Sequence, residues 1–342
     1  MLQRGINHLW YGRARPLWLL RPLSQLFGTL LDFRRWQYRK SLRKRVRIDR
    51  PVIVVGNITV GGTGKTPMVA WLVERLVQLD LKPGILTRGY GASESKPRLV
   101  QVDDDPHMAG DEPVLLARRT KVPVAAGRDR IGAAQLLIAA GCDVIVSDDG
   151  LQHLRMERDC EIAVVDGSRL FGNGALLPAG PLREPRERLD TVNLIVVNGP
   201  YSYTPRGFPM QLRGDVAFAL LGNSPQPLGR FNGQEVHAVA GIGNPKRFFD
   251  MLRERGIRPI EHALADHAKI RRRDIYFEGS YPVLMTEKDA VKCVRYAQDV
   301  HFYVPVTAYF DSEAADSIMS IVLRAIGKEN LIKGGQNGQT VA

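Results

Sequence analysis

The chain has 342 residues, 44% hydrophobic and 25% charged, a composition that is ordinary for a globular protein and excludes a disordered or fibrous chain. Its net charge of +12 is unevenly distributed: residues 1–50 hold 13 Lys and Arg against two Asp, a net of +11, and the rest hold 35 basic against 34 acidic residues, a net of +1. A neutral body with one basic arm favours a local anionic surface over nucleic acid as a partner. The length favours two domains.

The N-terminal arm, residues 1–45, combines an apolar run with a basic cluster. Arg21 is the only charged residue between Pro16 and Leu31, and the uncharged run that follows it is about half the length of a membrane-spanning helix. Eight Lys and Arg residues then lie between positions 34 and 47. We predict a membrane-interface anchor, the alternative being an amphipathic helix packed on the body. The predicted apolar stripe is Leu23, Leu26, Phe27, Leu30 and Leu31, and the arm also holds Trp10, Trp18 and Trp36.

A glycine-rich loop follows the first predicted strand of the body. The apolar, β-branched run 51–57 leads into TVGGTGKT, and a helical pattern covers residues 67–79. Strand, loop and helix in this order predict a phosphate-binding P-loop, although Thr59 stands where the motif has its first glycine. In such a loop backbone amides surround the phosphates, Lys65 reaches the β- and γ-phosphates and the Thr66 hydroxyl ligates Mg²⁺. The predicted ATP-binding residues are Gly61, Gly62, Thr63, Gly64, Lys65 and Thr66.

Further short apolar runs alternate with helical stretches, which predicts an α/β fold with a mostly parallel sheet and helices on both faces. Asp148 and Asp149 follow the run VIVS, and ligands bind beyond the carboxyl ends of such strands. We therefore predict Asp148 and Asp149 as Mg²⁺ ligands, with Gln152 as a neighbour that could orient them. The predicted strands of this region are 84–87, 122–126, 143–147, 161–166 and 193–197, with a helix at 128–140.

A turn-rich stretch, Gly199–Gly214, is predicted to be a linker to a second, smaller α/β unit. In that unit we expect strands at 236–240, 282–285 and 302–304 and a helix at 245–255. The predicted division is an arm at 1–45, a P-loop kinase domain at 46–208, a C-terminal domain at 209–332 and a disordered tail at 333–342.

Eight sequence blocks lie in order along the chain: VVGNITVGGTGKTP (54–67), TRGYG (87–91), GDEP (110–113), SDDGLQH (147–153), LLPAGPLREP (176–185), AGIGNPKRFF (240–249), ADH (265–267) and MTEKDAVKC (285–293). Together these blocks resemble the tetraacyldisaccharide 4'-kinases, the lipid A 4'-kinases of Gram-negative bacteria. A threonine at the position of Thr59 in the P-loop is also usual in that family. The resemblance implies transfer of the γ-phosphoryl group of ATP to the 4'-hydroxyl of a tetraacylated disaccharide 1-phosphate, at the cytoplasmic face of the inner membrane.

The same resemblance suggests roles for individual residues. It makes Asp111 of GDEP the base that accepts the proton of the sugar hydroxyl, whereas the local sequence alone favours a helix cap. His267 of ADH would pair with that aspartate after the two domains close. Arg88, Tyr90 and Arg183 are available for phosphate or sugar contacts, and Gln152 and His153 could serve the substrate or metal, or merely cap a turn.

Two alternative functions are also compatible with a P-loop. A partition-type membrane ATPase has a similar loop, but it carries a signature lysine where this chain has Val60. A nucleotide-switched adaptor on acidic lipid is the non-enzymatic alternative. Lys288 and Asp289 in TEKD resemble a guanine-recognition motif, but the asparagine of that motif is absent, so guanine specificity is not supported. The sequence contains no zinc module and no recognition-helix pattern, so it does not indicate nucleic-acid binding.

Overall fold

The computed structural model describes residues 9–12, 18–91, 96–199, 206–266, 268–279 and 281–331. Within these ranges the chain forms two β-sheets with packed helices, so the predicted α/β class is confirmed. The predicted catalytic residue His267 and the tail predicted to be disordered lie outside the described residues.

Each strand and helix predicted from the sequence patterns is present to within a few residues, and the structure adds further strands and helices that those patterns did not predict. The strands are β1 (Val52–Gly56), β2 (Pro83–Thr87), β3 (Arg98–Val100), β4 (Val124–Ala126), β5 (Val144–Asp148), β6 (Cys160–Asp166), β7 (Leu194–Asn198), β8 (Gly207–Arg213), β9 (Val216–Ala219), β10 (Pro225–Pro227), β11 (Glu235–Ala240), β12 (Arg258–Ala263), β13 (Val283–Thr286), β14 (His301–Val304) and β15 (Thr307–Tyr309). The α-helices are α1 (Arg21–Arg39), α2 (Lys65–Gln78), α3 (Pro106–Ala109), α4 (Asp111–Thr120), α5 (Arg130–Ala139), α6 (Pro245–Glu254), α7 (Glu287–Cys293) and α8 (Ser312–Ala325). Short 3₁₀ segments are Trp18–Leu20, Arg186–Thr191, Leu228–Phe231, Arg272–Asp274 and Val294–Tyr296.

The larger sheet has the strand order β15-β8-β7-β6-β1-β5-β2-β4-β3. Its pairings are parallel except those of β3 with β4 and of β15 with β8. Alternate residues of β1 face opposite sides, because side chains alternate along a strand. Ile53 and Val55 pack in a core with α2, α4 and α8, whereas Val52 and Val54 pack in a core with α5. Helices therefore cover both faces of this sheet.

The stretch predicted as a linker contains a strand of the larger sheet. Gly207–Arg213 is β8, which pairs with β7 on one side and with β15 on the other. Turn signals from prolines and glycines concealed a period-two pattern in which Phe208, Met210 and Leu212 pack toward the core, with Met210 fully buried. The linker prediction was wrong, and the boundary predicted at residue 208 falls inside a strand.

The smaller sheet has the order β10-β9-β14-β13-β11-β12, and its four strands β11 to β14 run parallel. After β14 the chain returns to the larger sheet as β15, and α8 packs into the same core as α2. We therefore call residues 46–213 and 307–325 the first domain and residues 216–304 the second domain. The C-terminal region predicted as one unit, 209–332, contributes to both.

Helix α1 presents a different apolar stripe from the predicted one. Phe27 and Leu31 are partly buried, and Ser24, which donates a hydrogen bond to the Leu176 carbonyl at 2.9 Å, is buried against the body. In the described ranges no helix is both long and apolar enough to cross a membrane. The large apolar residues of α1 and of the 3₁₀ turn before it that are more than half exposed are Leu19, Leu23, Leu26, Leu30 and Phe33, which we call the exposed stripe.

Candidate active site

The glycine-rich loop joins β1 to the start of α2 in the geometry of an anion site. Gly64 precedes the helix with φ of +101° and Gly61 has φ of +110°, a region of backbone conformation that favours glycine. A Cβ atom on Gly64 would also lie 2.5 Å from Nδ2 of Asn198, which donates a hydrogen bond to the Thr63 carbonyl at 2.9 Å. The loop is thus held in place beside the positive end of α2, and Lys65 is the first residue of that helix.

The first acidic residue after VIVS lies beside this loop because β5 is the parallel neighbour of β1, with Asp148 opposite Val55. Asp148 is 3% exposed, and its Oδ1 atom has no hydrogen-bond donor among the described residues. Burial, and then the nearby Glu112 carboxylate, raise the pKa of Asp148 to about 7. A buried acceptor of this kind calls for a cation.

Asp149, the next residue, is already paired with cations. Arg183 donates to both of its oxygens at 3.0 Å, and Nζ of Lys65 lies 3.7 Å from Oδ1. Burial opposes ionisation, but Lys65 and Arg183 outweigh it and lower the pKa of Asp149 to about 2. The two neighbouring carboxylates therefore differ: Asp149 is engaged with Lys65 and Arg183, and Asp148 is available to a metal.

The donor set fits Mg²⁺ held together with a nucleotide. Magnesium prefers one or two carboxylates with phosphate oxygens and water over a cage built only of protein ligands. In the part of the chain that the structure describes, no group of three or more His, Cys, Asp or Glu is arranged to hold a metal. Asp148 and the Thr66 hydroxyl at the head of α2 are the candidate ligands for such a shared site.

One cavity of about 1720 Å³ brings together most of the predicted site. Helix α1 contributes Phe27, Leu31 and Arg34 to its wall, and the second domain contributes Gly243 and Lys288. The site thus lies where the first domain, the second domain and the arm helix meet. The predicted residues that line it are Gly61, Gly62, Thr63, Gly64, Lys65, Thr66, Arg88, Tyr90, Asp148, Asp149, Gln152, His153 and Arg183.

Gln152 connects the arm helix to the phosphate loop. Its Nε2 donates to the Asn57 carbonyl at 3.0 Å and to Oε1 of Glu184 at 2.6 Å. The buried Glu184 also accepts a hydrogen bond from Arg35 of α1. These contacts give Gln152 a supporting role between α1 and the loop, which the sequence did not indicate.

His153 is held neutral. Burial, and then the positive charge of Arg130, lower its pKa to about 4. Its Nε2 atom is buried and finds no hydrogen-bond partner among the described residues. A neutral imidazole with an open nitrogen could meet a ligand in the cavity.

Asp111 lies at the start of α4, directly after Gly110, whose φ is +96°. The side chain of Asp111 is 20% exposed, and its Oδ2 lies 3.6 Å from Nζ of Lys292. Its neighbour Glu112 borders the cavity and accepts a hydrogen bond from Lys288 at 2.9 Å. The contact of Asp111 with His267 that the resemblance implies involves a residue outside the described part.

Sequence reasoning missed two charged residues of this site. Arg130 is 5% exposed and donates to the Asp149 carbonyl at 2.9 Å and to Oγ of Ser147 at 3.2 Å. A lone arginine at a helix start carries no signal of such a role. Glu112 was detectable only as the neighbour of Asp111 in GDEP.

The family model described as tetraacyldisaccharide-1-P 4'-kinase (LpxK) matches residues 16–324. The chain belongs to this family. Tetraacyldisaccharide 4'-kinase of Stenotrophomonas maltophilia is 50% identical over 308 residues, which is 87% of this chain and 91% of the relative. That of Nitrosococcus oceani is 45% identical over 328 residues, 95% of this chain and 96% of the relative.

A solved member of the LpxK family shares the fold. The structure of the "apo" form of LpxK from Aquifex aeolicus in complex with ATP is similar with a TM-score of 0.75 and 27% sequence identity, covering 95% of this chain and all of that one. The resemblance predicted from the sequence blocks is therefore confirmed over both domains. The partition-type ATPase, which offers no account of the second domain, is not supported.

Proposed function

We propose that the protein transfers the γ-phosphoryl group of ATP to the 4'-hydroxyl of tetraacyldisaccharide 1-phosphate, a step of lipid A biosynthesis. One observation carries this proposal: the P-loop, Asp148 and residues of the GDEP and TEKD motifs, all blocks of this kinase family, border a single cavity. If these motifs served only to stabilise the fold, nothing would require their residues to meet at one cavity from two different domains.

The phosphate loop binds the nucleotide in this proposal. The loop amides and Lys65 hold the β- and γ-phosphates, and Lys65 exchanges its contact with Asp149 for the γ-phosphate. Asp148 and Thr66 would hold Mg²⁺. When bound, Mg²⁺ neutralises charge that develops on the transferred group. Arg183 and Arg130 keep Asp149 in position beside Lys65.

The acceptor hydroxyl requires a base, and Asp111 is the proposed one. A carboxylate that accepts the hydroxyl proton as the new O–P bond forms contributes about 10²- to 10⁴-fold to the rate. We propose, on the family resemblance, that His267 helps set the orientation or charge of Asp111. Arg88, Tyr90 and His153 border the cavity that the P-loop lines and are proposed contacts of the disaccharide.

The arm helix supports a reaction at a membrane surface. The exposed stripe of α1 leaves large apolar side chains uncovered beside a basic cluster, an arrangement typical of helices that lie in the interface of anionic bilayers. A neighbouring face of the same helix, through Phe27, Leu31 and Arg34, borders the catalytic cavity. A lipid acceptor whose acyl chains stay in the bilayer would reach the P-loop along this helix. We place the protein at the cytoplasmic face of the inner membrane.

Transfer to a lipid can be tested directly. The purified chain is incubated with radiolabelled ATP, Mg²⁺ and the detergent-dispersed tetraacyldisaccharide 1-phosphate, and the lipid fraction is analysed for label. We expect a labelled lipid that depends on the acceptor and on Lys65. Hydrolysis of ATP without a labelled lipid would instead support an ATPase and overturn the proposal.

A further inference from the structure

The TEKD motif has no role in the chemistry proposed above, yet its helix lies between the two domains. Helix α7 packs Val291 into the core of the first domain. From the same helix, Ala290 and Cys293 pack into a core of the second domain. Side chains of α7 are therefore fixed relative to both domains.

The start of α7 is anchored in the second domain by a buried carboxylate. Asp289 is fully buried, and its Oδ2 accepts hydrogen bonds from the Gly241 amide at 2.7 Å and from the Thr286 hydroxyl at 2.6 Å. Its Oδ1 lies 3.1 Å from Nζ of Lys292, one turn further along the helix. Lys292 is thus held at its ammonium group by a partner that cannot move far.

The same ammonium group faces the first domain. Nζ of Lys292 lies 3.6 Å from Oδ2 of Asp111, and the lysine side chain is only 7% exposed. Four residues earlier, Nζ of Lys288 donates to Glu112 at 2.9 Å. Two lysines on one face of α7 therefore meet two consecutive carboxylates at the start of α4. At the other end of α4, Arg119 pairs with Glu287 at 3.2 Å.

We propose that Lys292 is a positioning residue for Asp111. The second domain, through Asp289 and Lys292, supplies a fixed ammonium group that orients the Asp111 carboxylate, the group that accepts the hydroxyl proton. The inference rests on the proposed role of Asp111 as base. It gives the TEKD motif a function: the base is in place only when α7 is docked on α4.

A variant series tests this inference. Lys292→Gln removes the charge, Lys292→Arg retains it, and Lys82→Gln removes an exposed lysine elsewhere on the first domain as a matched control. We expect Lys292→Gln to lower kcat by about 10- to 100-fold with KM for ATP changed less than about 2-fold, and Lys292→Arg to restore most of kcat. Melting temperatures are measured for each variant, because Lys292→Gln also leaves Asp289 without its cation.

A double-mutant cycle with Asp111→Asn separates positioning from a merely structural effect. If Lys292 acts through Asp111, adding Lys292→Gln to Asp111→Asn lowers kcat little further. An equal loss in both backgrounds, or a failure of Lys292→Arg to restore kcat in a folded protein, would overturn the inference. If Asp111→Asn alone leaves kcat unchanged, the proposed base is wrong, which is a different outcome.

Discussion

Gly243 of the second domain lies against Gly62 of the phosphate loop so closely that a Cβ atom on Gly243 would be 2.4 Å from the Gly62 amide nitrogen. Arg169 of the first domain donates to the Gly243 carbonyl at 2.8 Å, and Arg247 pairs with the buried Asp166 at 2.7 Å. The turn at residues 241–245, GIGNP, is therefore part of the contact between the two domains at the P-loop.

Gly243→Ala should disturb this contact without unfolding either domain. The added methyl group must push the turn or the phosphate loop aside, because the atom that it meets belongs to the backbone. We expect kcat/KM for ATP to fall by about 10-fold or more. Gly229→Ala is the control, since a Cβ atom there meets nothing within 4 Å. Unchanged ATP kinetics in Gly243→Ala would show that the turn moves away at little cost.

Lys65→Ala and Asp148→Ala should each abolish phosphoryl transfer. Each removes positive charge, directly or through a bound Mg²⁺, from the phosphates of the transition state. Single-turnover transfer to the lipid acceptor is the measurement, with circular dichroism to show that the variants are folded. Near-normal turnover of either variant would remove that residue from the proposed machinery.

Asp111 and His267 should act as one unit. We expect Asp111→Ala and His267→Ala each to lower kcat by about 10²- to 10⁴-fold, with smaller effects on ATP affinity, because both serve the same proton transfer. The double variant should be scarcely slower than the slower single variant. Losses that multiply would show independent roles.

Removing the apolar character of the exposed stripe should detach the protein from membranes. In Leu23→Ser/Leu26→Ser/Leu30→Ser the α1 contacts with the body remain, so nucleotide binding should persist while flotation with anionic vesicles falls. Leu221→Ser, at an exposed position of the second domain, is the control. Added salt should weaken vesicle binding of the unmodified protein only in part. Full flotation of the triple variant, or of a chain lacking residues 1–45, would place the anchor elsewhere.

His153 should make the protein less stable in acid. Its pKa is about 4 in the folded state against 6.5 unfolded, so the unfolded state binds more protons between these values and the free energy of unfolding falls as the pH is lowered through this range. Urea denaturation at about pH 7 and about pH 5 should show a smaller loss for His153→Gln than for the unmodified chain. His107→Gln, on an exposed helix turn, is the control. If the free energy of unfolding falls equally in the unmodified chain and in both variants, His153 is not the cause of the acid sensitivity.

Local patterns predicted the P-loop and the strand that ends at Asp148, because β-branched runs and glycine spacing are local signals. The pairing of Asp149 with Arg183 and Lys65 could not be predicted, since it depends on how distant loops meet. The linker prediction failed because Pro209 of β8 resembles a turn residue until the packing of Met210 is known. The family resemblance singled out Asp111, but no sequence signal joined it to Lys292.

Strands β8 and β15 have a further consequence for how the chain is assembled. Arg213 and Thr307 are directly opposite each other in the antiparallel pair β8 and β15, although 93 residues of intervening chain separate them. The second domain is therefore a guest inserted into a host at one point on the edge of its sheet, with entry and exit side by side. A two-residue hairpin turn would close the same gap. The host could be recombined with other inserts there, and both covalent connections of the guest restrain its motion at that one edge of the sheet.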